Sequence, residues 1–124
     1  MYNIAIVEDN DNDAKLLESY IINISEKEHN EYNVVRFYDA VSFLKEYQPI
    51  YAVVLLDVEM PNMNGVEASS ELRKIDKSCS IIFVTNLIQY AQKGYEVDAV
   101  AYLIKPVQYY DFSLKFKKRY HYIL

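Results

Sequence analysis

The sequence predicts an α/β domain, a doubly wound sheet of five parallel strands in the order 2-1-3-4-5 with helices on both faces. Three observations predict it. Five short apolar runs alternate with stretches whose apolar residues recur at helical spacing. Four of those runs end on polar residues, at Glu8-Asp9, Asp57, Thr85 and Lys105. The chain has 124 residues, of which 52% are hydrophobic, enough to bury one core and hardly two. No repeat, low-complexity segment or linker divides it, so one domain over residues 1–124 is expected.

Ile4-Ala5-Ile6-Val7 is too short for a helix and is stopped by acids, which reads as the first strand. Leu16, Leu17, Tyr20, Ile21 and Ile24 then mark a helix, with Asn10 or Asp11 placed to cap its start. Val34-Val35-Arg36-Phe37-Tyr38 is the second strand, and its internal Arg36 points to a sheet edge. Ala40, Phe43, Leu44 and Tyr47 give a second helix face, stopped before Pro49. Ala52-Val53-Val54-Leu55-Leu56 is continuously apolar, as a central strand covered on both faces must be, and it ends on Asp57. After a loop punctuated by Pro61 and Gly65, Ala68, Leu72 and Ile75 mark a third helix face.

Ile81-Ile82-Phe83-Val84 is the fourth strand, followed by a helical stretch carrying Leu87, Ala91 and Tyr95, interrupted by Gly94. Val100-Ala101-Tyr102-Leu103-Ile104 is the fifth, and Phe112, Phe116 and Tyr120 give the last helix its apolar stripe. Right-handed crossovers make these strands parallel and send helices to both faces. In the order 2-1-3-4-5 the ends of strands 1 and 3 lie at the switch point, where open α/β sheets bind ligands, and Glu8, Asp9 and Asp57 converge there.

Composition excludes several classes. A net charge of -5 argues against direct nucleic-acid contact by this domain. No apolar run approaches the roughly 20 residues of a membrane span, and Met1 leads straight into a strand, so a soluble cytoplasmic domain is expected. Cys79 is the only cysteine, so neither a disulfide nor a thiolate zinc site can form within the chain. The basic cluster at Lys115, Lys117, Lys118 and Arg119 reads as the solvated side of a terminal helix or, less simply, a partner-docking face.

Carboxylates packed together repel, so a divalent cation or a lysine is their natural companion. Magnesium fits an oxygen-only set, since it takes one or two carboxylates, keeps several waters and completes its octahedron with phosphate oxygens. Only Gly65 and Gly94 exist, so no glycine-rich phosphate loop can be written; phosphate would be held by the cation, Lys105 and Thr85. A carboxylate can itself attack phosphorus and form an acyl phosphate, and Asp57, ending the most buried strand, is the best-placed nucleophile. Each residue alone has an ordinary alternative role: helix-dipole charge, loop cap, strand threonine, surface lysine. It is their joint placement at one sheet edge that argues for a site.

In Ile6-Val7-Glu8-Asp9-Asn10, Leu56-Asp57-Val58-Glu59-Met60-Pro61, Gly65, Val84-Thr85 and Tyr102-Leu103-Ile104-Lys105-Pro106, the chain resembles the receiver domain of bacterial two-component response regulators. The resemblance implies the flavodoxin-like (βα)5 receiver fold and transfer of a phosphoryl group from a sensor histidine kinase's phosphohistidine to Asp57. It implies Mg²⁺ held by Asp9, Asp57 and the Glu59 backbone carbonyl, with Glu8 acting through metal-bound water. Thr85 would move toward the new phosphate, Tyr102 would turn inward, and the face of the fourth helix, fifth strand and fifth helix would be reshaped, with a homodimer through it.

Leu87-Ile88-Gln89-Tyr90-Ala91 and Tyr95-Glu96-Val97-Asp98-Ala99 look like receivers attached to LytTR-type DNA-binding domains, so a C-terminal output domain outside this chain is expected. A stand-alone receiver or interaction module is the alternative. Asn86 and Asp98 depart from the family, where a smaller residue and a glycine are common. The resemblance implies a cis Lys105-Pro106 bond, whereas X-Pro bonds in general favour trans. A rival of another class is an aspartyl-phosphate phosphohydrolase of the haloacid-dehalogenase sort, faintly matched by Asp57-Val58-Glu59.

Overall fold

The computed structural model describes residues 2–87 and 96–118. Five parallel strands, β1 (Tyr2–Val7), β2 (Tyr32–Phe37), β3 (Tyr51–Leu56), β4 (Ser80–Thr85) and β5 (Ala101–Ile104), form one sheet in the order β2-β1-β3-β4-β5. Helices α1 (Asp11–Glu28), α2 (Ala40–Lys45), α3 (Gly65–Ile75) and α4 (Tyr109–Lys117) cover it. The expected helix between β4 and β5, with Ala91, Gly94 and Tyr95, lies outside the described residues, as do Arg119 and Tyr120.

Successive residues of a strand face opposite sides of a sheet, and both sides here are apolar. Ala5, Val7, Val54, Leu56, Ile81 and Phe83 pack with Ala40 and Phe43 of α2 and Ala68 and Leu72 of α3. Ile4, Ile6, Val53, Leu55, Ile82 and Val84 pack with Leu17, Ile21 and Ile24 of α1 and Phe112 and Phe116 of α4. That double burial is why β1, β3 and β4 read as continuous apolar runs while half-buried β2, at the edge, carries Arg36.

Two expected core positions are corrected. Ile75 is 60% exposed, because α3 ends there and the chain turns away at Asp76. Leu16 is exposed too, lying beside the α1 stripe of Leu17, Ile21 and Ile24 rather than in it. The cap of α1 is Asn10, whose side chain accepts the Asp13 N–H at 2.9 Å.

Register then positions the strand ends. Val7 pairs with Phe37 on one side and Leu56 on the other, and Leu56 pairs with Phe83. The ladder runs one residue further, with Asp57 N–H donating to Val7 O at 3.1 Å and Lys105 N–H to Thr85 O at 2.9 Å. Glu8 and Asp57 therefore leave the sheet side by side, with Lys105 two strands beyond Asp57 and directed back toward both.

Candidate phosphoryl and metal site

An open cavity of about 270 Å³ lies at that end of the sheet, lined by Glu8, Asp9, Asn10, Asp13, Asp57, Glu59, Asn86 and Lys105. Carboxylate oxygens of Glu8, Asp9 and Asp57 all lie within 4.8 Å of one another. Glu8 and Asp57 are buried while Asp9 is exposed. Lys105 Nζ donates to Glu8 Oε1 at 2.6 Å, Asp13 Oδ2 at 2.7 Å and Asp57 Oδ2 at 3.0 Å. The sequence places Glu8, Asp9, Asp57 and Lys105 together, and the structure does the same; it adds Asp13, from the first turn of α1.

The remaining oxygens are held by backbone. Asp57 Oδ1 accepts the Glu59 N–H at 3.1 Å, and Glu8 Oε2 accepts the Asn10 N–H at 3.1 Å. Arg36 reaches in from the edge strand, its Nε and Nη2 donating to the Glu8 carbonyl at 3.1 and 2.9 Å and its Nη1 to Asp11 at 2.7 Å. It clamps the loop that carries the acid pair, which explains a charge inside an otherwise apolar strand.

Electrostatically the cluster is short of positive charge. Burial pushes the Glu8 carboxyl up to about 7; its hydrogen bond with Lys105 opposes this, and the neighbouring Asp57 charge adds to it. Burial alone would lower Lys105, but its hydrogen bonds to Asp13, Glu8 and Asp57 overcome it and hold the ammonium above its ordinary value. One lysine serving several acids leaves room for a further cation, and the donors are all oxygen. Such a set fits a hard divalent ion such as magnesium.

Thr85 and Tyr102 stand one layer back. Thr85 is buried and is not among the residues lining the cavity; its Oγ1 accepts the Leu87 N–H at 3.3 Å. The Tyr102 hydroxyl donates to the Leu87 carbonyl, and its ring tilts against Phe83 with centroids 5.5 Å apart. Both residues therefore converge on Leu87, on the segment leaving β4.

Two details touch the departures noted above. The Lys105-Pro106 bond is cis, as the resemblance implies. Asp98 has φ 55°, in the left-handed region a glycine favours, so aspartate takes up the conformation in place of glycine.

Gly65 is a site residue whose reason the sequence hides. A Cβ at Gly65 would collide with the carbonyl oxygen of Asp57 and come within 2.8 Å of the Val58 Cα. The start of α3 packs directly on the backbone of the Asp57 loop, tied by Gly65 N–H to Val58 O at 2.8 Å. A glycine ahead of a helix reads as a loop signal; close approach across space leaves no local pattern.

Comparison with known proteins matches the geometry. The family model for the response regulator receiver domain matches residues 4–115. The positive alginate biosynthesis regulatory protein of Pseudomonas aeruginosa is 31% identical over 80 residues, which are 64% of this chain and 32% of that protein. The sensory transduction protein LytT of Bacillus cereus is 37% identical over 68 residues, 55% of this chain and 27% of that protein. The chain thus spans about a third or less of these relatives. Among solved structures, the Thermotoga maritima response regulator TrrA in complex with Mg²⁺ and BeF superposes with a TM-score of 0.80 at 27% identity, covering 96% of this chain and 99% of that one. The BeF3-activated DrrB receiver domain gives 0.82 at 24% identity with 98% of each chain covered, a likeness of fold.

Proposed function

Because the chain belongs to the response regulator receiver domain family, a family of regulatory rather than classically enzymatic domains, we propose that it is a phosphorylation switch whose acceptor is Asp57. The observation that carries this reading is the meeting of Glu8, Asp9 and Asp57 within 4.8 Å, beside a lysine bonded to two of them. The donor is the phosphohistidine of a sensor histidine kinase. An Asp57 oxygen attacks phosphorus, the P–N bond breaks, its electron pair stays on the imidazole nitrogen, and that nitrogen takes a proton from solvent.

Mg²⁺ would be held by the carboxylates of Asp9 and Asp57 and the Glu59 carbonyl, with Glu8 acting through bound water; it would supply positive charge to the transferring group's oxygens. Burial and the neighbouring Asp57 charge both raise the Glu8 carboxyl, which supports a cation there. Lys105, already hydrogen-bonded to Asp57, transfers a donor to a phosphoryl oxygen. Thr85 leaves the Leu87 N–H to donate to another, and Tyr102, tied to the same residue, follows inward. Loss of the phosphoryl group to water resets the switch.

The output is relayed through the face around β5 and α4, where Tyr110 is 71% exposed and Ile104 and Leu114 stand open to solvent. That apolar face supports a phosphorylation-dependent homodimer. This chain spans about a third or less of these relatives, and we read the extra length as room for a C-terminal LytTR-type DNA-binding domain that receives the signal and gives the whole protein a transcriptional role. No helix among the described residues is long and apolar enough to cross a membrane.

Incubation with acetyl phosphate and Mg²⁺ tests the acceptor. Intact mass should rise by one phosphoryl group per chain, chelation of Mg²⁺ should abolish the gain, and Asp57→Asn should not be labelled. Labelling that persists undiminished in Asp57→Asn moves the acceptor elsewhere, and continuous turnover of phosphate monoesters would favour a phosphohydrolase instead.

A further inference from the structure

We propose that Asp13 is a positioning residue that competes with the phosphoryl group for Lys105, so that the first turn of α1 sets how readily the switch leaves its resting state. The inference rests on Asp57 being the acceptor.

An ammonium has three N–H donors. In Lys105 all three are taken, by Glu8 at 2.6 Å, Asp13 at 2.7 Å and Asp57 at 3.0 Å. A phosphoryl oxygen can gain Lys105 only when one of these carboxylates gives way. Glu8 and Asp57 belong to the group of oxygens within 4.8 Å that a divalent cation draws on. Asp13 is not in that group, so cation binding leaves its hold on Lys105 in place. Once Asp57 carries the phosphoryl group, Asp13 is the remaining anion bonded to the same ammonium from the helix side.

Its placement suits a reversible hold. Glu8 is nearly fully buried, whereas the Asp13 side chain is 38% exposed and can turn out to water when Lys105 moves. The Asp13 backbone is fixed independently, through its N–H on the Asn10 cap at 2.9 Å, so replacing the side chain leaves the helix start intact. Beyond Lys105 lies a second, mostly apolar cavity bordered by Asp13, Leu17, Val84, Val107 and Lys105 itself. Lys105 is therefore stationed between an acidic cavity and α1, with Asp13 as its tether on the helix side.

Beryllofluoride, which takes the place of a phosphoryl group on a carboxylate, is titrated with Mg²⁺ into the whole chain and followed by fluorine NMR. Asp13→Ala should tighten its binding roughly three- to tenfold, and Asp13→Asn by a smaller factor, since an amide oxygen still accepts from the ammonium but without the carboxylate's charge. Both gains should vanish in a Lys105→Ala background, or Lys105→Met if alanine does not fold. Unchanged or weakened binding in the Asp13 variants overturns the inference. So does a gain that survives loss of the lysine, since it would then come from the general field of the site. Failure of the wild-type chain to bind Mg²⁺ and beryllofluoride would instead remove the acceptor assignment, and this inference with it.

Discussion

Each end of the sheet holds a buried aspartate, and they are built on opposite plans. At the carboxyl end Asp57 shares one ammonium with Glu8 and Asp13, like charges crowd, and an open cavity lies beside them. At the amino end Asp76 sits among donors that carry no charge. Its Oδ2 accepts the Tyr47 hydroxyl, and its Oδ1 accepts the Ser78 N–H at 2.9 Å, the Ser78 hydroxyl at 3.0 Å and the Cys79 N–H at 3.1 Å. Arg73, nearby, spends its guanidinium on main-chain carbonyls, those of Val97 at 2.6 Å, Cys79 at 2.7 Å, Asp98 at 3.3 Å and Asp76 at 3.3 Å, and leaves the Asp76 carboxylate to the neutral donors. Burial works against the charge of Asp76, yet these hydrogen bonds outweigh it and hold the carboxyl below its ordinary range. Full satisfaction makes a brace between α2, α3, β4 and the approach to β5. Incomplete satisfaction makes a site that wants a ligand.

The largest effects should separate the two ends by sign. Asp76→Ala strands the Tyr47 hydroxyl and two backbone N–H groups and should cost about 2–4 kcal/mol in urea unfolding. Asp57→Asn removes one of several crowded anions and leaves Lys105 bonded to Glu8 and Asp13, so without metal it should unfold within about 1 kcal/mol of wild type or above it. If Asp57→Asn costs as much as Asp76→Ala, the carboxyl end is a brace as well and the contrast collapses.

Proton linkage sharpens the same contrast. The folded Asp76 carboxyl binds its proton more weakly than the unfolded one, so its contribution is complete above the ordinary value of 3.8 and is lost as pH falls through the folded value. Glu8 has the opposite sign. Its folded carboxyl is raised from 4.5 to about 7, so its contribution is present below 4.5 and is lost as pH rises through about 7. Metal-free protein should therefore lose stability across that window, measured as urea midpoints. Saturating Mg²⁺ should flatten the decline, and so should Asp57→Asn, which removes a charge that raises Glu8. Stability that climbs steadily through the window would show that Lys105 fully neutralises the acids.

The two ends also differ in how far they could be read from sequence. Glu8, Asp57, Thr85 and Lys105 were visible because each terminates a strand, and strand termini in a parallel sheet share an edge whatever the loops do. The apolar runs placed the sheet for the same reason, since double burial writes itself into consecutive residues. Asp13 was hidden, because its role depends on how far α1 tilts toward β5, and a helix-start acid already has a sufficient reason to exist. Gly65 reads as a loop break in sequence, while its close approach to Asp57 is made across space. The Asp76 brace leaves no sequence pattern: Tyr47 lies far off in the chain, just past α2, Ser78 and Cys79 are loop neighbours of Asp76, and together they follow no period. Ile75 keeps the spacing of its helix face yet stands outside the core, because helical spacing says which face a residue shares but not where the helix leaves the core.

The smallest expected effect lies in the turn that the brace holds. Arg73 binds the carbonyls of Val97 and Asp98, so the turn is gripped through its backbone, and Asp98 contributes a left-handed φ of 55°. If backbone geometry is all that matters there, glycine should serve slightly better than aspartate and alanine worse. Asp98→Gly trades a conformational strain against added freedom in the unfolded chain, and a net gain of about 0.5 kcal/mol is expected. Asp98→Ala keeps a Cβ without the local hydrogen bonding that lets aspartate visit this region, and should lose about 0.5–1 kcal/mol. Opposite signs in urea unfolding would show a brace that reads only the main chain. Equal losses would mean that the Asp98 carboxylate takes part, making the amino end a charged cluster after all.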